Sequence, residues 1–170
     1  MCSTVYRDGG TDSQHYDASW PLSAPKAGVG TTFTPVVGFR VAATFGGLTN
    51  RKLVVPTLVI MSNTSGRGTF RFIANPATTT GGAWAAVNAL SGVEYNEGIT
   101  SFTGGIVAAT QYLPNTSDAR EFSTTDLFAL NGSLLRRDAF DTASDSFLLL
   151  AKADSGTFSV EVTAFWKEYG

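Results

Sequence analysis

Charge is scarce in this chain. Only 15% of its 170 residues are Asp, Glu, Lys or Arg, against about 25% in ordinary globular domains. The basic residues are scattered, the one adjacent pair, Arg136-Arg137, is followed at once by Asp138, and the net charge is −2. A nucleic-acid partner needs clustered cations to displace counterions, so that class is excluded. There is one cysteine, Cys2, and one histidine, His15. An intrachain disulfide is therefore impossible, and a zinc site lacks ligands at any recognised spacing. No window approaches the length of apolar residues that spans a membrane, and no basic-then-apolar leader opens the sequence.

Gly, Ser and Thr fill the space that charge leaves, which is the palette of a β-protein. A surface of neutral hydroxyls and amides costs little to desolvate against a partner. Residues 1–34 are rich in Asp, Ser, Gly and Pro and show no sustained period, so they read as an extended N-terminal arm. Their aromatic residues Tyr6, Tyr16, Trp20 and Phe33 are spaced as anchors that dock the arm, either on the body of its own chain or on a partner. Removing residues 1–22 is accordingly expected to leave the rest of the chain folded.

From Pro35 to the end the pattern is that of strands separated by turns. Val37, Phe39, Val41 and Ala43 alternate with Gly38, Arg40, Ala42 and Thr44, and Phe70, Phe72 and Ala74 alternate with Thr69, Arg71 and Ile73. Leu53–Met61 is an apolar run interrupted by Pro56, the mark of an edge, a bulge or a crossing between sheets. Thr78–Gly82 reads as a flexible loop, and Thr125–Leu135 leaves room for one helical turn. Phe147–Ala151 is a wholly apolar central strand. Asp154-Ser155-Gly156 is expected to turn it into a hairpin with the last strand, in which Phe158, Val160, Val162 and Trp166 face inward and Ser159, Glu161, Thr163 and Lys167 outward. About eight strands with unequal crossovers predict an all-β, jelly-roll-like two-sheet sandwich over residues 35–170, preceded by the arm.

The supply of catalytic residues is thin. His15 lies between Asp12 and Asp17 in the arm, where a Ser-His-Asp site has no scaffold. Glu94 and Glu97 are a pair of carboxylates, yet their spacing across a strand end does not aim both at one sugar ring. Asp8, Asp12 and Asp17, and Asp138, Asp141 and Asp145, do not match a calcium loop with its bidentate Glu. Gly28-Val29-Gly30 is too short for a dinucleotide loop. Asn63, Asn115 and Asn131 open glycosylation-type triplets of a kind common by chance in so Ser/Thr-rich a chain. Trp84, Tyr95, Phe102 and Tyr112 suit either a carbohydrate platform or packing. The reading is of a non-enzyme with no cofactor and no metal.

Asn75-Pro76, a Gly/Thr loop, Trp84, Val87, Val93-Glu94-Tyr95 and Gly104-Gly105 occur in an order that resembles a domain of tailed-bacteriophage virion proteins. This domain often forms the carboxy-terminal part of tail-fibre or accessory structural proteins. Phe147-Leu148-Leu149-Leu150-Ala151 and the closing Phe165-Trp166-Lys167-Glu168 extend the likeness, which covers about Val36 to the end. The resemblance implies a β-sandwich building block of a virion, assembled in the host cytoplasm, in contact with copies of itself, a trimer being favoured, and with other virion proteins such as the major capsid protein. The chain reads as starting at its own Met1 and shows no coiled-coil shaft, which favours a capsid decoration, or cement, protein. A tail-fibre or other tail-associated role, or a receptor- or carbohydrate-binding module, is the alternative.

Overall fold

A computed structural model describes residues 18–50, 53–114, 119–123 and 144–169. Regular structure among these residues is entirely β. The strands are β1 (Ala18–Val29), β2 (Thr34–Val41), β3 (Thr44–Phe45), β4 (Leu48–Thr49), β5 (Leu53–Asn63), β6 (Gly68–Ala74) and β7 (Thr78–Thr80). They continue as β8 (Ala85–Ala86), β9 (Val93–Asn96), β10 (Ser101–Thr103), β11 (Ile106–Leu113), β12 (Ala119–Ser123), β13 (Ser146–Ala153) and β14 (Phe158–Tyr169). A four-stranded sheet has the order β1-β14-β5-β12, and a six-stranded sheet the order β11-β6-β13-β2-β9-β8.

The pairings follow one rule. The chain runs out through β1, β2, β5 and β6 and returns through β11, β12, β13 and β14. Each outgoing strand pairs antiparallel with its returning counterpart: β1 with β14, β2 with β13, β5 with β12, and β6 with β11. Rolling this long ribbon brings β14 beside β5 and β13 beside β6. The result is a jelly roll, in which two sheets enclose one core.

Period-2 patterning explains which side chains fill it. On β14, Phe158, Val160, Val162, Ala164 and Trp166 are buried, while Glu161 is exposed and Ser159, Thr163 and Lys167 are partly so. From the opposite sheet, Val37, Phe39 and Val41, Phe70 and Phe72, and Phe147 and Leu149 join them. An apolar cavity of about 40 Å³ remains between the sheets, lined by Val54, Ala108, Ala164 and Trp166 among others.

The structure corrects the expected hairpin. β13 and β14 lie in different sheets, β13 between β6 and β2, and β14 between β1 and β5. Residues 154–157 form an arch between the sheets rather than a tight turn within one. Residues 64–67 make a second arch, from β5 to β6, and the two stand side by side with Asp154 N donating to Arg67 O at 2.9 Å. A side chain at Gly68 would strike Lys152 O at 2.5 Å and the Phe158 ring at 2.7 Å, so glycine is what lets the arches touch. β13 shuns the hairpin because both its faces are apolar and both must be covered. Pro56 sits where the β5–β14 register shifts, opposite Trp166, which selects the bulge among the three options that the proline allowed.

A second, smaller core lies on the outer face of the six-stranded sheet. There Ile73, Ile99, Leu148 and Leu150 pack beneath Phe33, Trp84 and Phe102. The excursion of residues 75–105 provides Trp84 and Phe102 of this cover, and Thr78–Gly82 is not simply a loop, since β7 pairs with β10. Asn75 begins it at φ 48°, with its Oδ1 accepting from Ser146 N at 2.9 Å. Gly105 ends it at φ 90°, where a Cβ would lie 2.4 Å from Ile73 Cγ2 and 3.0 Å from Pro76 Cα. Gly105→Ala is therefore expected to cost about 2 to 4 kcal/mol in a denaturant titration, from strain and overpacking together. Gly30→Ala, with nothing within 4 Å of the new methyl, is the neutral control.

The sheet does not begin at residue 35. β1 belongs to the four-stranded sheet, with Trp20 opposite Trp166, Leu22 opposite Ala164 and Ala24 opposite Val162. Ala24 and Val29 are core residues. Of the expected arm, residues 1–17 lie outside the described residues, and a cut after residue 22 would remove part of a paired strand.

Candidate functional site

Among the described residues, two places concentrate polar side chains against apolar surroundings. The first closes one end of the core. Glu168 continues the inward parity of β14 and is only 2% exposed. It accepts from Ser91 Oγ at 2.5 Å, Gly92 N at 2.8 Å and Trp166 Nε1 at 3.0 Å. Gly92 O in turn accepts from Asn50 Nδ2 at 2.8 Å and from Ala42 N at 2.9 Å. This buried network ties the last strand of one sheet to the β8–β9 connection of the other. Satisfied on all these sides and sealed from solvent, it holds the fold together and offers no reactive group to a substrate.

The second lies on the outer face of the six-stranded sheet. Gly38 leaves room for Trp84 and Ile99, whose side chains fill the space a Cβ would occupy. Trp84 carries the guanidinium of Arg40 at 4.4 Å from its ring centroid. Arg40 Nε also donates to Glu94 Oε2 at 2.7 Å. Beside them runs an open polar groove of about 250 Å³, lined by Arg40, Trp84, Thr78, Thr79, Ser144 and Ser146 among others. A stacked, ion-paired guanidinium is a rigid donor. Among the described residues the groove's walls offer hydroxyls and a cation, a lining suited to binding a small polar group.

The residues singled out by sequence are dispersed. Tyr6, Tyr16, His15, Asp8, Asp12, Asp17, Asp138 and Asp141 lie outside the described residues, as do Asn115 and Asn131 and the possible helical turn. Trp20 is held by the backbone ladder of β1. Phe33 packs on the outer core of its own sheet, with the Arg71 guanidinium 4.0 Å and the Lys152 ammonium 5.3 Å from its ring centroid. It is an internal anchor in this chain. Glu94 is engaged by Arg40, and Asp145 accepts from Asn75 Nδ2 at 3.0 Å.

Trp84 and Phe102 roof the outer core, whereas Tyr112 projects from β11 and donates to Asp154 Oδ2 at 2.7 Å. That hydrogen bond, helped by the charge of Asp154, raises the pKa of the Tyr112 phenol above its ordinary value. Among the described residues no group of three or more His, Cys, Asp or Glu is placed to hold a metal ion, and no helix is long and apolar enough to cross a membrane.

Sequence reasoning missed both the Arg40–Trp84 stack and the role of Glu168. The second had a signal, for its parity on β14 is that of Trp166. The first had none, because the two residues meet only when the excursion folds back. No protein-family model matches this chain, and no curated protein matches it significantly.

Proposed function

We propose that this chain is a non-enzymatic structural protein of a bacteriophage virion, acting as a capsid decoration protein in contact with copies of itself and with the major capsid protein. The observation that carries the reading is where the resemblance residues fall. Asn75 and Gly105 bracket the excursion, Trp84 roofs the outer core, Leu148–Leu150 form the doubly covered centre of β13, and Trp166 and Glu168 close the end of the core. The likeness thus lies in the residues that build a domain, as expected of a shared building block. Jelly rolls serve as capsid units and also as lectins, so the fold by itself leaves both open. The sparse charge favours a role in extensive protein contacts.

The test is to add purified protein to heads that lack it and to image the particles. A fixed number of copies per head, at symmetry-related sites, is the expected result. Attachment to tails alone would move the protein to the tail, and no association with any particle part would overturn the reading. The groove beside Arg40 and Trp84 favours a second reading, a carbohydrate-binding receptor module. Binding to a glycan array that is lost in Arg40→Ala would support it.

A further inference from the structure

An open sheet edge offers unpaired N–H and C=O groups to any extended chain, and proteins guard such edges with proline, charge or brevity. The two sheets have four edges among the described residues: β1, β12, β8 and β11. Three are guarded. β1 contains Pro21, Pro25 and Lys26, and because proline is tolerated only where no ladder donor is needed, it strips two donors from the open side. β12 carries Arg120 and Glu121 within its five residues, and β8 is two residues long.

β11 has no such guard over most of its length. Its sequence, Ile-Val-Ala-Ala-Thr-Gln-Tyr-Leu, spans eight residues without charge, proline or glycine. A bulge between Val107 and Ala109 bends its first end, and Ala109–Leu113 then pair with β6 in unbroken register. Exposed large apolar side chains gather on this strand as well, with Ile106 60%, Val107 51% and Tyr112 45% exposed.

We propose that β11 is the seam of a homodimer, pairing antiparallel with β11 of a second copy about a dyad at Gln111. The strand's own chemistry selects that occupant. With no charge on it, no like-charge contact arises when it meets itself. Centring on Gln111 sets Ala109 against Leu113 and Thr110 against Tyr112, the aromatic with β-branched combination that stabilises cross-strand pairs. The two Gln111 amides meet at the axis, where each carries a donor and an acceptor for the other. Such an interface is isologous and closes on itself, making the two six-stranded sheets one continuous sheet. The symmetry is twofold, unlike the threefold arrangement that the virion resemblance favours. The proposal rests on the self-association in the functional reading, and not on the capsid assignment.

The test is sedimentation velocity of the full chain and of Gln111→Glu and Gln111→Lys, separately and mixed. The wild type is expected to be dimeric. Each variant alone places like charges at the axis and is expected to self-associate at least about tenfold more weakly. An equal mixture of the two is expected to recover the dimer, a rescue that loss of folding cannot mimic. Amide exchange in the wild type is expected to slow across residues 109–113 with rising concentration. A wild type still monomeric at about 100 µM, where contacts of useful strength are populated, overturns the proposal. So does a dimer that ignores both substitutions. A monomer that nonetheless decorates heads removes the seam while leaving the capsid reading in place.

Discussion

Glu168→Ala is expected to lower the unfolding free energy by about 3 to 5 kcal/mol. The substitution removes the acceptor shared by Ser91 Oγ, Gly92 N and Trp166 Nε1 and leaves those donors facing an apolar interior. Each unsatisfied buried donor costs about 1 to 3 kcal/mol, and partial relaxation keeps the sum below the upper limit. Glu168→Gln preserves shape and one acceptor and is expected to lose less, about 1 to 3 kcal/mol. Urea titration followed by circular dichroism measures both. A loss below about 1 kcal/mol for the alanine variant would mean that water replaces the carboxylate, and that this end of the core is open.

Trp166→Ala is expected to cost a similar amount, about 3 to 5 kcal/mol, for a different reason. Trp166 is 3% exposed, its ring centroid lies 6.1 Å from that of Phe39 at an angle of 54°, and it already borders the cavity between the sheets. Removing the indole enlarges that space. Because the indole N–H donates to Glu168, the two substitutions share one hydrogen bond. The double variant is expected to lose less than the sum of the singles, by about 0.5 to 3 kcal/mol. Strict additivity in the same titrations would show that the two side chains act independently.

Much of the fold was legible because strand patterning is a local property. The alternation in Val37–Val41, Phe70–Ala74 and Phe158–Trp166 located three strands and their inward faces. The Gly46-Gly47 pair, both at positive φ, makes the turn between β3 and β4, a local signal of the same kind. What failed was partnership. A short turn between two apolar runs reads as a hairpin, and only the apolar character of both faces of β13 distinguishes an arch from one. β1 was hidden because Pro21, Pro25 and Gly28 are poor strand formers, tolerated here at an edge that β14 holds in place. For the candidate site, alternation reached Trp166 and stopped one step short of Glu168, where a charged residue at an inward position was itself the clue. The Arg40–Trp84 contact joins residues from distant segments, and no local pattern encodes it.

The pairing of the first described strand with the last governs how the polypeptide can acquire its structure during synthesis. Ser23 and Glu161, hydrogen-bonded side chains of β1 and β14, are 138 residues apart. β14 also separates β1 from β5, so neither of those strands has its native neighbour on that side until β14 has been synthesised. Until then the nascent chain must carry the apolar stretch Leu53–Met61 incompletely paired. Such high contact order makes folding slow, with the waiting chain prone to aggregation or chaperone capture. A chain truncated before Phe158 lacks a central strand of one sheet, and premature termination would yield an insoluble fragment rather than a shortened working protein.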